Sequence, residues 1–326
     1  MNSELKDQHG RVKRKLRLSL TDRCQFRCQY CMPETPKWLP RDSILRQEEI
    51  VRIATLAVTQ LRITHIRLTG GEPLLRKDVV EITAELAKLK SQGLEKLSMT
   101  SNAARLDDFA VPLKAAGLDD INISLDAIDA DLFQTLTKAP LQPVLNGIAA
   151  AKKVGLPVKV NAVLMKGQNQ DQILPMLEWA AAEGVELRFI EFMPLDSGHQ
   201  WDESLVVTET EILNAVSEKY DIKVLPKGHE PATRYQLESG QTFGIIPTIS
   251  HAFCGSCDRI RITAKGTVFA CLFSQTGTEL LPLLRENADD EALAKAIRGD
   301  IWNKHRGYID HPGYVERPVT MHAMGG

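Results

Sequence analysis

The sequence predicts an α/β protein: a parallel barrel, complete or incomplete, of six βα units, followed by a smaller α+β region. Short stretches of alternating apolar and polar residues are separated by longer segments of helical periodicity, which is typical of parallel strands joined by helices. This repeat fades after about Asp196. We therefore expect one domain at residues 1–196 and a second region at residues 197–326.

Six strands are predicted in the first part, each alternating between the two faces of a sheet. They cover residues 16–21, 65–70, 96–101, 121–126, 158–164 and 187–192. The segments between them have helical periodicity, and several end in a glycine that suits a helix C-terminus. These predicted helices cover residues 46–61, 77–93, 106–117, 144–155 and 169–184.

One face of the predicted sheet is basic. Parallel strands covered by helices on both sides are usually apolar on both faces, so one face here must meet something polar. A single carboxylate, Asp126, opposes four cations on that face: Arg17, Arg67, Lys159 and Arg188. Buried cations are costly unless a ligand neutralises them, and a polyphosphate is such a ligand. Alternatively, individual side chains reach the rim or pair with acids from loops.

The second region predicts helices at residues 206–220 and 289–305 and two β-hairpins at residues 235–250 and 259–273. The hairpins turn at Ser-Gly and Lys-Gly, residue pairs that favour tight turns. A tail containing Gly and Pro follows and ends in the sequence MHAMGG.

Charge and hydropathy exclude several classes of partner. A net charge of −2 and a pI near 6.5 give no global reason to expect nucleic acid or an anionic membrane as partner. The basic cluster RVKRK at residues 11–15 is interpreted as solvated surface. The amino-terminal segment lacks the apolar core of a secretory signal, and no apolar stretch approaches the roughly 20 residues of a membrane span. We expect a cytoplasmic protein.

Six cysteines form two groups of three: Cys24, Cys28 and Cys31, and then Cys254, Cys257 and Cys271. Disulfides need pairs and a closed zinc site needs four ligands, so cysteines clustered in threes indicate metal ligands or redox groups rather than a disulfide framework. The first spacing, C-x₃-C-x₂-C, allows three thiolates to bind three irons of a cubane cluster. The fourth iron would then be left for a small molecule.

The first triad, within CQFRCQYC, is followed by LTGGEPLLR, and together these motifs resemble the radical S-adenosylmethionine enzymes. The resemblance implies an incomplete, TIM-like (β/α)₆ barrel and a [4Fe-4S] cluster on Cys24, Cys28 and Cys31. It also implies that S-adenosylmethionine binds the open iron and supplies a 5′-deoxyadenosyl radical. The residues matching its contacts are Tyr30, Gly71, Glu72, Ser124 and Met193.

The second triad, C-x₂-C-x₁₃-C, leaves two interpretations open from its spacing. A zinc site completed by His251 is one, because cysteine pairs on hairpins are common in zinc ribbons. An iron–sulfur cluster is the other. Arg259 and Arg261 alternate on the strand that follows, and a structural zinc site has no need of them.

Further motifs resemble the GTP-cyclising radical S-adenosylmethionine enzymes that begin molybdenum cofactor biosynthesis. These are LRLSLTDRCQFRCQYC, INISLD, VKVNAVLMKG, LRFIEFMP, FCGSCDRIRIT and a terminal Gly-Gly. The resemblance implies a C-terminal α+β extension with a second [4Fe-4S] cluster on Cys254, Cys257 and Cys271 that binds the guanine. Matching GTP-contact positions are Arg17, Arg67, Thr100, Lys159, Arg259 and Arg261. An external one-electron donor and a homodimer are further implications.

Two departures from that family pattern concern local geometry. Ala103 stands where the family usually has glycine, and the tail reads MHAMGG instead of ending in Tyr-Ile-Gly-Gly. The resemblance implies that Gly325 and Gly326 lie in the active site, whereas a bare terminus is usually disordered.

Three other functions remain as alternatives: a radical S-adenosylmethionine maturase that modifies peptides, a non-catalytic iron–sulfur electron carrier, and a zinc-stabilised binding module. The maturase leaves the basic face unexplained. The other two need neither GGEP nor six βα units.

Overall fold

The computed structural model describes residues 4–33, 35–196, 201–226, 228, 230–307 and 321–325. These residues form one sheet of twelve strands. In chain order the strands are β1 Lys15–Ser19, β2 His65–Thr69, β3 Lys96–Ser101, β4 Asp120–Ser124, β5 Val158–Leu164, β6 Glu186–Glu191, β7 Ile222–Val224, β8 Thr233–Leu237, β9 Thr242–Ile246, β10 Arg259–Ile262, β11 Thr267–Phe269 and β12 Thr278–Glu279.

Ten α-helices occur in the described residues. They are α1 Gln47–Thr59, α2 Val79–Ala87, α3 Leu106–Ala115, α4 Ala130–Thr137, α5 Gln142–Lys153, α6 Ile173–Glu183, α7 Glu209–Ser217, α8 Leu281–Arg285, α9 Asp290–Trp302 and α10 Met321–Met324. Among them, no helix is both long enough and apolar enough to cross a membrane. The sequence missed α4, whose first turn is capped by Asp129 accepting a hydrogen bond from the Leu132 amide.

Strands β1 to β6 lie side by side in chain order and are all parallel. The six strands predicted from the sequence agree with them to within two residues at each end. Alternation decides which side is buried: Leu16 and Leu18 are 0% exposed and belong to the apolar core, while Arg17 between them faces the other way. The helices cover the apolar face.

Both predicted hairpins are confirmed as antiparallel pairs, β8 with β9 and β10 with β11. The sequence did not indicate where they attach. β10 pairs in parallel with β1, and β9 pairs in parallel with β6, so the later strands extend both edges of the parallel sheet.

The amino-terminal basic cluster is not solvated surface, so that interpretation was wrong for two of its members. Lys13 is 0% exposed and bonds to Asp7 at 2.7 Å, and the Arg11 side chain is 8% exposed. A buried carboxylate, Asp7, six residues upstream of the cluster's centre, pairs with both cations, which a local count of basic residues cannot reveal.

Candidate functional site

The loop that carries the first cysteine triad leaves β1 and is tied to the GGEP segment after β2. The Gly71 amide donates to the Thr21 carbonyl and the Glu72 amide to the Arg23 carbonyl, both at 2.7 Å. A Cβ on Gly71 would lie 2.4 Å from the Arg23 carbonyl oxygen, so only glycine allows this approach. Two motifs that are far apart in sequence therefore form one site.

All six cysteines lie among the described residues, and each is a free thiol. In the first triad burial raises the pKa of Cys24 to about 11 and of Cys31 to about 12, and that of Cys28 well above its ordinary value. Neighbouring thiols and carboxylates add to the effect. The charge of Arg27 offsets the rise for Cys24 only in part, and a bound iron cluster would stabilise all three thiolates.

Glu72 holds the ends of β2 and β3 together. It is 0% exposed and accepts hydrogen bonds from the Leu74 amide at 3.0 Å, the Ser101 hydroxyl at 2.8 Å and the Asn102 amide at 2.7 Å. Burial raises its pKa to about 7 against these donors. The sequence assigned Glu72 only to a cofactor contact, whereas its carboxylate also orders this edge of the site.

Asn102 is a site residue that the sequence reasoning missed. Its side-chain amide donates to the Cys24 sulfur at 3.7 Å and its carbonyl oxygen accepts from Gln25 at 3.2 Å. The signal was present, because Asn102 follows directly after a strand whose neighbours reach the same edge.

Asp126 corrects an expectation about charge. It does not oppose the cations of the basic face; its carboxylate accepts a hydrogen bond from the Tyr30 hydroxyl at 2.7 Å and from the Val163 amide at 2.8 Å. Burial raises the Asp126 pKa to about 6. β4 ends at Ser124, so Asp126 lies beyond the strand and its predicted phase no longer applies.

Three arginines stand in register on adjacent strands. Arg17 on β1 pairs with Arg67 on β2 and with Arg261 on β10. Burial and the charges of Arg261, Arg259 and Arg67 hold the pKa of Arg17 well below its ordinary value. Burial likewise lowers the pKa of Arg67 to about 10. Repulsion between the positive charges of these arginines favours the binding of an anionic ligand.

Arg259, a fourth candidate for GTP contact, also faces the second triad. Its guanidinium lies over the Phe253 ring, 4.7 Å from the centroid. It forms a hydrogen bond with Cys257 as well. Arg259 therefore connects the second triad to the row of arginines.

Lys159 and Arg188 are partly neutralised by Glu186, which approaches them at 3.4 Å and 4.0 Å. Arg188 Nε also donates to the Asn161 side chain at 3.0 Å. Several buried polar atoms on this face have no partner among the described residues: Thr69 Oγ1, Asp120 Oδ1, Asn122 Oδ1 and Arg188 Nη2. Unsatisfied buried donors and acceptors of this kind are expected where a polar ligand binds.

The remaining predicted contacts lie toward the same end of the sheet as the first triad. Thr100 is in register with Asn122, and Ser124 with Asn161. Met193 follows β6, is half-buried and accepts a hydrogen bond from the Leu195 amide at 2.7 Å.

The second triad gathers at the start of β10. Cys254 and Cys257 flank a short turn in which the Cys257 amide donates to the Cys254 carbonyl at 3.2 Å. Extending the antiparallel register of Arg261 with Phe269 by two residues brings Cys271 opposite Arg259. Gly307 closes the other side, since a Cβ there would lie 2.6 Å from the Cys254 sulfur.

The electrostatics of the two triads differ. Burial raises the pKa of Cys257, but the charges of Arg259 and Lys304 outweigh it and bring the value to about 6. The zinc alternative required His251, whose Nδ1 instead lies 2.9 Å from a Glu209 carboxylate oxygen. Within the described ranges, no three His, Cys, Asp or Glu side chains gather as a site for a single metal ion would require.

The two triads lie at opposite ends of β1. The first follows its carboxyl end, whereas the second lies around Arg259, which pairs with Lys15 at the amino end of β1. At 3.3 Å per residue the strand spans about 13 Å, with Arg17 midway. Gly325 of the tail reaches the carboxyl end, because a Cβ there would lie 2.4 Å from Thr69 Oγ1. Gly326 is outside the described residues.

Two family models match the chain. The model described as Radical SAM superfamily matches residues 18–180, and the model described as Molybdenum Cofactor Synthesis C matches residues 185–309.

Curated relatives match over nearly all of the chain. A Corynebacterium glutamicum protein named GTP 3′,8-cyclase is 44% identical over 100% of this chain and 90% of its own length. A Streptomyces coelicolor protein of the same name is 43% identical, with 98% and 96% covered.

Solved structures of Streptococcus suis SuiB are similar in fold. The structure with the precursor peptide SuiA has a TM-score of 0.64 at 14% identity, covering 91% of this chain and 69% of that one. The structure with S-adenosylmethionine gives 0.61 at 14% identity, covering 91% and 68%. At this identity the likeness shows the fold alone.

Proposed function

The chain belongs to the GTP 3′,8-cyclase family of radical S-adenosylmethionine enzymes, and we propose how its residues divide the work of that reaction. The enzyme converts GTP to (8S)-3′,8-cyclo-7,8-dihydroguanosine 5′-triphosphate, the first step of molybdenum cofactor biosynthesis. Its cofactors are S-adenosylmethionine and iron–sulfur clusters.

We assign one [4Fe-4S] cluster to Cys24, Cys28 and Cys31 and another to Cys254, Cys257 and Cys271. When bound, the first cluster and S-adenosylmethionine would supply a 5′-deoxyadenosyl radical as the acceptor of the ribose 3′ hydrogen. Tyr30, Gly71, Glu72, Ser124 and Met193 hold S-adenosylmethionine, and Asn102 joins them through Glu72 and Cys24.

GTP occupies the basic face between the triads. The observation that carries this assignment is the register of Arg17 with Arg67 and Arg261, midway along a strand that has one triad at each end. Charge-assisted hydrogen bonds contribute about 1.5–3 kcal/mol each, so a few of them can hold a triphosphate and align C3′ with C8. The proposed GTP contacts are Arg17, Arg67, Thr100, Lys159, Arg259 and Arg261.

We further propose that β1 to β6 form an incomplete (β/α)₆ barrel within residues 1–196, with residues 197–326 as the region of the second cluster. Membership of the family also suggests an external one-electron donor and a homodimer. Six free cysteines suit a reducing compartment, which supports a cytoplasmic location.

Anaerobic incubation with GTP, S-adenosylmethionine and dithionite tests the proposal. We expect 5′-deoxyadenosine and the cyclised triphosphate by mass spectrometry, and about eight irons per chain for two four-iron clusters. Arg261→Ala is expected to keep the iron and lose GTP turnover, while Lys153→Ala, at an exposed position of helix α5, keeps both. About four irons together with zinc would contradict the second cluster. Tight binding of an unmodified peptide without GTP affinity would favour a maturase.

A further inference from the structure

A buried charge network underlies the second triad. Asp7, Lys13 and Lys304 are 1%, 0% and 2% exposed. Lys13 Nζ lies 2.7 Å from Asp7 Oδ2 and donates to the Cys257 carbonyl, also at 2.7 Å. Three ionisable groups thus meet beneath one cysteine, although none of them belongs to the proposed substrate or cofactor contacts.

Lys304 contacts the sulfur of Cys257. Its ammonium donates to Cys257 Sγ at 3.4 Å and to the Arg259 carbonyl at 3.0 Å. No carboxylate of the described residues forms an ion pair with Lys304. Since a buried ammonium without an anionic partner is costly, Cys257 would compensate the charge of Lys304 when its sulfur is bound to a cluster as a thiolate.

The amino-terminal arm fixes this arrangement. Asp7 accepts hydrogen bonds from Arg11 Nε at 2.7 Å and from two backbone amides, and Arg11 Nη1 donates to the Cys254 carbonyl at 2.8 Å. Asp7 is thereby committed to Arg11 and Lys13. With one carboxylate and three cations, the network keeps a net positive charge, and Lys304 is the cation among them whose side chain contacts a cysteine sulfur.

We propose that Lys304 is a positioning residue of the second cluster: its ammonium donates a hydrogen bond to the Cys257 sulfur and raises the reduction potential of the iron–sulfur cluster held there. The inference rests on the proposed function, because it takes Cys254, Cys257 and Cys271 as cluster ligands. Reduction adds negative charge to a cluster, so a nearby cation and a hydrogen bond to sulfur stabilise the reduced state.

The test is a redox titration of the reconstituted full-length enzyme, followed by electron paramagnetic resonance. The first cluster is identified by a signal that changes when S-adenosylmethionine is added. Lys304→Met is expected to lower the potential of the other cluster, with a reduction equilibrium at least about tenfold weaker, or about 59 mV for one electron. Iron content and the first cluster's potential are expected to stay unchanged.

Lys265→Met is the matched control, because Lys265 carries the same charge on the nearby β10–β11 turn but pairs with Glu279 at the surface. It should leave both potentials unchanged. If Lys304→Met loses the cluster, Lys304→Arg, which keeps charge and donor, should restore the iron and the wild-type potential.

Two results are decisive against the inference: full iron content with an unchanged potential in Lys304→Met, or an arginine variant that fails to restore the cluster. A different result, a wild-type enzyme with only the S-adenosylmethionine-sensitive cluster, overturns the proposed second cluster itself. The two failures are therefore distinguishable.

Discussion

The Tyr30 hydroxyl donates a 2.7 Å hydrogen bond to Asp126 Oδ2 and so joins the first cysteine loop to the segment after β4. Tyr30→Phe leaves the buried Asp126 carboxylate with the Val163 amide as its other donor. We expect a loss of about 1–2 kcal/mol in the free energy of unfolding, measured by urea denaturation. Tyr220→Phe deletes an exposed hydroxyl bound to Glu178 and should cost less than about 0.5 kcal/mol. Equal losses in the free energy of unfolding would show that the Tyr30–Asp126 hydrogen bond stabilises the fold no more than an exposed hydrogen bond does.

Gly307 tests the packing of the second triad. Alanine at this position would place a Cβ 2.6 Å from the Cys254 sulfur, at a backbone φ of +117° that favours glycine. Gly307→Ala is therefore expected to lose the second cluster's iron and keep the first cluster's. Gly255→Ala, inside the same triad, has open space around its Cβ and should keep both. Iron analysis distinguishes the variants; full iron in Gly307→Ala would refute the close contact.

Gly147 in α5 touches the loop after β3. A Cβ there would lie 2.2 Å from the Ala103 carbonyl oxygen and 3.0 Å from Leu106 Cβ. Gly147→Ala should destabilise the fold by about 3 kcal/mol through overpacking. Gly299→Ala, in α9 with open space, should stabilise it by about 0.5–1 kcal/mol. Thermal unfolding of both variants measures these changes. A shift of Tm in the same direction for both variants would contradict the close packing of Gly147.

Arg17 is expected to lower the stability of the nucleotide-free enzyme while contributing to GTP binding. Its charge is disfavoured by burial and by three neighbouring arginines. Arg17→Leu should raise the free energy of unfolding of the nucleotide-free enzyme by about 1 kcal/mol and abolish the rise in Tm on adding GTP. Lys153→Leu, at an exposed position of helix α5, should retain the GTP effect. A nucleotide response that survives in Arg17→Leu would exclude Arg17 from the binding face.

Asp300 in α9 predicts a dependence of stability on pH. Burial raises its pKa from 3.8 to about 6, against donors that include the Thr278 hydroxyl. The native state thus keeps a proton that the unfolded chain has released, so its contribution to stability falls as pH rises from about 4 to 6. After allowance for solvent screening we expect about 1–2 kcal/mol.

Urea denaturation at pH 4.5 and pH 7 should show this loss in the wild type and a smaller one in Asp300→Asn. Asp221→Asn, at an exposed position, should behave like the wild type. If the pH dependence of stability in Asp300→Asn were identical to that of the wild type, Asp300 would not be its cause.

The sequence predicted β1 to β6 well because period-two alternation is a local property. Ala103 shows the limit of local reasoning. Its φ of +60° gives the left-handed turn for which glycine is usual, although the conformational preference of alanine does not predict that turn. The sequence predicted only part of the row of arginines that lie in register. Arg17 and Arg67 came from strand phase, but the adjacency of Arg261 depends on β10 pairing with β1, a contact across more than 240 residues.

Lys13 and Lys304 were missed for the same reason. Each lies in a segment that looks like ordinary polar surface, and only the tertiary fold brings both beneath Cys257. Residues that act on a site from beneath it leave no signature in spacing.

The pairing of β10 with β1 and of β9 with β6 has a consequence for synthesis on the ribosome. When residues 1–196 have emerged, both outer strands of the parallel sheet still lack their neighbours. Unpaired strand edges are prone to associate with other chains. The nascent chain is therefore most exposed to aggregation until β10, near residue 262, has left the exit tunnel. Chaperone capture should be strongest in that interval.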